Sequence, residues 1–311
     1  MNNNNIWSDI KLIDYLNINN NEITNLPHGV SISTMCTSCK LNTFINILNI
    51  EKYLQLNNND ILCIKIDENR IRTLIKDKKK SKREKKNKLL KLKNKINHFY
   101  NQITVIIRIN NGLSNNLDKE PKINLKLFKN GSIQMSGCKS ITNINIVLNK
   151  LIYRLSEIKA VIENNNIVEK KFIDECSQVY ISNFKIDMIN SNYRVNMQID
   201  RIKLFNLLLK KKIKSSFEPC IRACVIIKQT PPINNIELKE ISIFIFQKGN
   251  IIITGAQCKS HIYYAYQFIN NILITHYEEI NKIDEQEEEL LIMKLYNEVL
   301  KDIKNGLIIN Y

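Results

Sequence analysis

Residues 125–139 read LKLFKNGSIQMSGCK and residues 243–257 read IFIFQKGNIIITGAQ. The two stretches align so that Phe128 and Phe246, Gly131 and Gly249, and Gly137 and Gly255 recur at one constant offset. Two copies of one unit are therefore expected. Each copy is an alternating apolar run, a short Lys/Asn-Gly turn of hairpin type, a second alternating run, and a Gly that opens a helical stretch. The likeness extends upstream, with Val105-Ile106-Ile107-Arg108 ahead of the first copy and Val225-Ile226-Ile227-Lys228 ahead of the second. Downstream, Ile144, Val147, Leu148, Leu151, Ile152 and Leu155 fall at three- and four-residue steps, as do Ile262, Ala265, Tyr266, Ile269, Ile272 and Leu273. A half-buried hairpin closed by one amphipathic helix predicts an α+β fold: a sheet with helices on one face and the opposite face uncovered.

The rest of the chain fits around these copies. Residues 29–37 alternate as a strand, 41–56 follow a helical pattern, and 60–66 and 103–109 read as strands. Before the second copy, 183–190 is strand-like, 199–212 helix-like, 215–220 a turn and 221–227 a strand. Each unit thus reads strand, helix, strand, hairpin, helix. The expected organisation is an Asn-rich arm over 1–24, a first repeat over 25–156 with a basic insertion at about 67–99, a connection over 157–178, a second repeat over 179–280, and a helical extension over 281–311. The extension is acidic at its first turn and carries Lys301 and Lys304 at its last, which suits the helix dipole.

Charge narrows the choice of partner. The 311 residues carry a net charge of +16, which favours an anionic partner such as nucleic acid. Lys76 to Lys95 alone holds twelve Lys/Arg against Asp77 and Glu84, either a solvated excursion or a phosphate-binding segment. No signal peptide and no bilayer-length apolar run is seen, so a soluble intracellular protein with no membrane partner is expected. In a reducing compartment its eight cysteines are expected to be free thiols.

Enzyme chemistry finds no support. Cys36-x-x-Cys39 has no second Cys pair, and its two sulfurs fall on opposite faces of a strand, so no metal site is expected. His28, His98, His261 and His276 lie in unrelated contexts, and no Gly-rich phosphate loop occurs. The expectation is a non-enzyme without cofactor or small-molecule substrate.

At IFIFQKGNIIITGAQ, LFKNGSIQMSGCK, FKIDMIN (184–190), SSFEPC (215–220) and STMCTSCKL (33–41), the sequence resembles the TATA-box-binding protein family. The resemblance covers roughly residues 29–50, 100–156 and 183–275; a long-insert version of this kind suits a large DNA virus or a divergent protist, the virus being the expectation. It implies a saddle of two pseudo-symmetric repeats sharing one curved antiparallel sheet, helices on the convex face and the concave face in a DNA minor groove. Wedge insertion into that groove is the mechanism for which this family is itself a type case. The implied function is a general transcription initiation factor that binds AT-rich promoter DNA, bends it, and recruits other general factors and RNA polymerase, in a nucleus or a viral factory.

Carried over position by position, the resemblance makes Phe128 and Phe246 the kinking wedges. Ile32, Thr34, Ser136, Ile252 and Thr254 match positions at base edges or sugars, and Arg108 and Lys228 match basic residues near phosphates. The sequence departs from the family at the second wedge of each half, which falls on Gln102 and Arg222. It also departs at one apolar groove position, which is Lys126, and at two central asparagines, which fall on Val30 and Met188 with Asn190 close by. Weaker kinking is implied, with Arg222 and Lys126 replacing insertion by electrostatic contact and making binding tighter but less selective. The other function class is a protein-interaction platform that keeps the scaffold and has lost sequence-specific DNA binding.

Overall fold

Both repeated phrases form β-hairpins, and each turns on a glycine with positive φ. In the computed structural model, which describes residues 12–16, 23, 25–67, 70–75, 101–109, 121–175, 179–232, 239–282 and 285–304, strands β5 (Lys122–Phe128) and β6 (Ser132–Cys138) flank Gly131. Strands β12 (Ile241–Phe246) and β13 (Asn250–Ala256) flank Gly249 in the same way. The basic stretch Lys76–Lys95 and the Asn-rich start with Trp7 lie outside the described residues.

The chain divides into two units. The first contains β1 (Ser31–Leu41), α1 (Ile47–Tyr53), β2 (Ile61–Lys65), β3 (Ile71–Thr73), β4 (Gln102–Arg108), the β5–β6 hairpin and α2 (Ile141–Leu155). Its sheet runs β1-β6-β5-β4-β2-β3 with antiparallel pairings. Strand β1 is placed by its pairing with β6, with a bulge between Met35 and Cys36. Asn46 and Ser140 cap α1 and α2, their side chains accepting from Asn49 N–H and Asn143 N–H. One face of the sheet supplies Ile103, Val105, Ile107, Ile123, Leu125, Leu127, Ile133 and Met135 to a core that α2 closes with Ile144, Val147, Leu148 and Leu151. All are essentially solvent-free, and burial on this scale is the main drive to fold.

Two additions decorate this unit. Strands β7 (Ile158–Glu163) and β8 (Asn166–Lys171) form a separate hairpin whose turn residues Asn164 and Asn165 both have positive φ. The 157–178 connection is therefore largely structured, with strands that the sequence reading does not assign. In addition, residues 13–15 of the N-terminal arm are strapped across α2. Asn149 Oδ1 accepts from Ile13 N–H at 2.9 Å, Asn145 Oδ1 accepts from Tyr15 N–H at 3.1 Å, and both amides donate to the Ile13 carbonyl.

The second unit repeats the plan. Strand β9 (Ile181–Arg194) gives its residues 181–190 to the first unit and 191–194 to the second. Helix α3 (Arg201–Lys210), β10 (Ser215–Ser216), β11 (Cys224–Gln229), the β12–β13 hairpin and α4 (Lys259–Thr275) follow, with sheet order β10-β11-β12-β13. Asp200 caps α3 by accepting from Ile202 and Lys203 N–H. The core is Val225, Ile227, Ile241, Ile243, Ile245, Ile251 and Ile253 under Ile262, Ala265, Ile269 and Leu273. A short turn of helix, α5 (Tyr277–Ile280), and the twenty-residue α6 (Glu285–Lys304) end the described chain.

The pseudo-repeat reaches down to single hydrogen bonds. Leu41 N–H donates to Gly131 O and Ile45 N–H to Lys129 O; Val195 N–H donates to Gly249 O and Ile199 N–H to Gln247 O. The architecture is α+β, with the amphipathic helices α2 and α4 on the buried side of an antiparallel sheet.

Candidate nucleic-acid interface

Alternation fixes which side chains stand on the uncovered face of each sheet. In the first unit, odd-numbered residues of β4, β5 and β6 enter the core, so Gln102, Thr104, Ile106, Asn124, Lys126, Phe128, Gln134 and Ser136 stand on the other side. Even-numbered residues of β1 join them, from Ile32 and Thr34 to Cys36 and Ser38. The second unit places Cys224, Ile226 and Lys228 beside Ser242, Phe244, Phe246, Ile252 and Thr254.

The cross-strand register sorts these into rows. Nearest the hairpin turn, Gln102 lies opposite Phe128, and Cys224 lies opposite Phe246. The next row is Thr104, Lys126, Gln134 and Ser38 in the first unit, and Ile226, Phe244 and Ile252 in the second. The third is Ile106, Asn124, Ser136 and Cys36, against Lys228, Ser242 and Thr254. Both phenylalanines are half-buried. Phe246, with Phe244, Ile226, Cys224 and Arg222, lines a shallow open cavity of about 590 Å³, and a second of about 470 Å³ runs from Phe246 to Ile252 and Arg194.

Register also revises two expectations. Arg222 does not face Phe246: it is exposed in the turn before β11, and Cys224 holds the opposite position. Arg108 and Lys228 are not equivalent, although each closes a Val-Ile-Ile-Arg/Lys motif. Val105 lies opposite Leu125 whereas Val225 lies opposite Ile245, so the first motif is slipped by two residues relative to the second. Arg108 consequently lies beyond the third row, opposite Lys122, and is only 4% exposed. Its carbonyl accepts from Lys150 Nζ at 3.1 Å and its N–H donates to Asp60 O, while guanidinium Nε and Nη1 have no hydrogen-bond partner among the described residues. It is part of the unit's interior and presents no cation to a phosphate.

The remaining positions vary in freedom. Lys228 is exposed but forms an ion pair with Glu240 at 2.8 Å, and Lys214 holds the other oxygen of the same carboxylate. These two lysines keep Glu240 below the usual carboxylate range. Thr34 Oγ1 accepts from Gly137 N–H at 3.2 Å, beside the β1 bulge. Ile32, Ser136, Ile252 and Thr254 are half-buried on the open faces, and Lys126 is exposed. Val30 and Met188 are half-buried, and Asn190 O accepts from Ser33 Oγ at 3.0 Å. Thr104, Asn124, Gln134, Phe244 and Ile226 share these faces without having been singled out by sequence; period-two counting from Phe128 and Phe246 finds Asn124 and Phe244 at once.

The cysteines carry no comparable geometry. Cys36 stands on the open face of β1 and Cys39 in the core, where burial pushes its thiol up to about 12, as it does that of Cys138. The described cysteines are free thiols, and no cluster of three metal-ligating side chains occurs among the described residues.

Comparison with known proteins decides the family. A protein named "TATA-box-binding protein-like" from Acanthamoeba polyphaga mimivirus is 33% identical over 290 residues, covering 88% of this chain and 73% of that protein. The chain belongs to the TATA-box-binding protein family. The family pattern described as transcription factor TFIID (or TATA-binding protein, TBP) matches residues 183–276, the second repeat. Among solved structures, the TBP of Methanococcus jannaschii is similar at 15% identity with a TM-score of 0.45, over 80% of this chain and 98% of that one. As a member of the TATA-box-binding protein family the chain is a divergent transcription factor of a non-enzymatic kind, related to a viral protein. Among the described residues no helix is long and apolar enough to cross a membrane.

Proposed function

We propose that this chain is a transcription initiation factor that binds AT-rich promoter DNA in the minor groove through the uncovered strand face of each unit. The observation that carries the reading is the pair of half-buried phenylalanines, Phe128 and Phe246, each on an open face at the end of a hairpin strand. A solvent-facing aromatic on a sheet of otherwise mixed character is suited to wedge between base steps, and the flat groove floor suits β-branched and apolar neighbours such as Ile32 and Ile252.

Gln102 and Cys224 stand where a second wedge would face each phenylalanine. With one wedge per unit, the bend is shallower than two wedges would give. Lys126, Arg222 and Lys228 supply cations near the backbone. Recruitment of general factors and RNA polymerase falls to the helical sides and to α6, where Ile292, Met293, Leu295 and Tyr296 are all more than half exposed. The site of action is a nucleus or a viral factory.

Competition binding of the full chain on an AT-rich and a GC-rich duplex, across a salt series, tests the reading. Preference for the AT-rich duplex, lost in a Phe128→Ala/Phe246→Ala variant that still folds, is the expected result. Equal, steeply salt-dependent binding to both duplexes, unmoved by the two changes, would leave the sheets as a scaffold for protein partners.

A further inference from the structure

The two open faces differ most in the row behind the phenylalanines. In the first unit that row is Thr104, Lys126, Gln134 and Ser38, with Ser38 Oγ donating to the Asp187 carboxylate at 3.1 Å. In the second unit the register counterparts of Thr104, Lys126 and Gln134 are Ile226, which is buried, and Phe244 and Ile252, which are half-buried and present the apolar surface of the row. Lys126 and Gln134 are exposed, so their polar ends are presented outward and not consumed in the core. A chain that folds one unit twice has filled the same three places with hydrogen-bonding side chains in one copy and with hydrocarbon in the other.

The minor groove gives such a difference a meaning. A·T and T·A pairs show only the acceptors A N3 and T O2 there, while G·C adds the protruding guanine N2 amino donor. An apolar row meets that amino group with bulk and no acceptor, leaving a buried donor unpaired. Gln134 can accept from the guanine amino group through its carbonyl while donating from its amide to a neighbouring N3 or O2. Lys126 donates to acceptors that every base pair shows.

We infer that the two units read unlike half-sites: the second takes A·T pairs only, and the first takes a half-site containing G·C, selected by Gln134 with Lys126 beside it. This rests on the proposed groove binding and deepens it, since it gives the protein a preferred orientation on its site from side chains rather than from overall shape.

The test is enrichment of bound duplexes from a randomised pool by the full chain, followed by sequencing. The expected consensus is A·T in one half and G·C-containing in the other. A Gln134→Leu/Lys126→Leu variant, altered only at exposed positions, should convert the second of these halves to A·T and lose roughly tenfold in affinity for the wild-type consensus. A Phe244→Gln/Ile252→Gln variant should admit G·C to the A·T half. A wild-type consensus that is A·T in both halves, or G·C enrichment that survives the Gln134/Lys126 change, overturns the inference while leaving groove binding standing. Failure to enrich any sequence, with binding indifferent to the phenylalanines, overturns the proposed function and the inference with it.

Discussion

At Gly131 the backbone has φ 85°, and an added Cβ would stand 2.5 Å from the Thr43 carbonyl oxygen and 2.7 Å from that of Leu41. Gly249 repeats the situation with φ 77° against the carbonyls of Val195 and Met197. Gly29 shares the positive φ but has no atom of the described residues within 4 Å of the same point. Alanine at Gly29 should therefore cost only the left-handed conformation, about 1–2 kcal/mol. At Gly131 or Gly249 it should cost more than about 2 kcal/mol, because backbone must also move. Urea midpoints of the three variants check this; equal losses would mean that the close approach carries no weight. Glu240 governs a second residue-scale effect, since it engages both Lys214 and Lys228. Its folded pKa is depressed, so the ion pairs are complete above the ordinary carboxylate range and are lost only as pH falls through the lowered value. At neutral pH, Glu240→Gln should free both lysines, tighten DNA binding and steepen the salt dependence by up to about 0.9 in log–log slope for each phosphate gained. An unchanged slope would show that neither lysine reaches the backbone.

Among the elements, the β7–β8 hairpin shows where sequence reading stops. Its outward side chains Ile158, Ile162 and Ile167 are 49%, 77% and 77% exposed, and its inward ones are a mixture of Lys159, Val161, Glu163, Val168 and Lys170, none of them fully buried. With no apolar side turned to a core, its alternation carries no burial signal, and only the Asn164-Asn165 turn marks it. It is held to α1 by Tyr53 Oη donating to Glu163 at 3.0 Å and Asn49 Nδ2 donating to Lys171 O at 2.7 Å. Tyr53→Phe should raise amide exchange within 158–171 while changing global stability by about 1 kcal/mol or less; uniform loss of protection across the unit would mean the hairpin is integral to its core. By contrast, the hairpins at Gly131 and Gly249 and the amphipathic helices α2 and α4 were legible because their apolar residues recur at periods set by burial. The error at Arg108 has an equally physical source. A slip of two residues keeps every side chain of a strand on its own face, so alternation cannot detect it, and the Val-Ile-Ile motif reads the same in either register.

At the scale of the whole molecule three properties act together: a net charge of +16, two copies of one sheet-and-helix unit, and an uncovered face on each that carries a phenylalanine. Charge alone explains attraction to any nucleic acid. Groove reading is the stronger claim, and inosine separates the two. An inosine·cytosine pair lacks the guanine amino group, so its minor-groove edge matches that of A·T while its major-groove edge matches that of G·C. The measurement is the affinity of the full chain, at fixed salt, for one AT-rich site and for the same site with every A·T pair replaced first by I·C and then by G·C. Affinity for the I·C duplex within about twofold of the A·T duplex, with G·C at least about tenfold weaker, is the result the account predicts. Binding to I·C that matches G·C instead would contradict it, because the protein would then be reading the major groove or the charge alone.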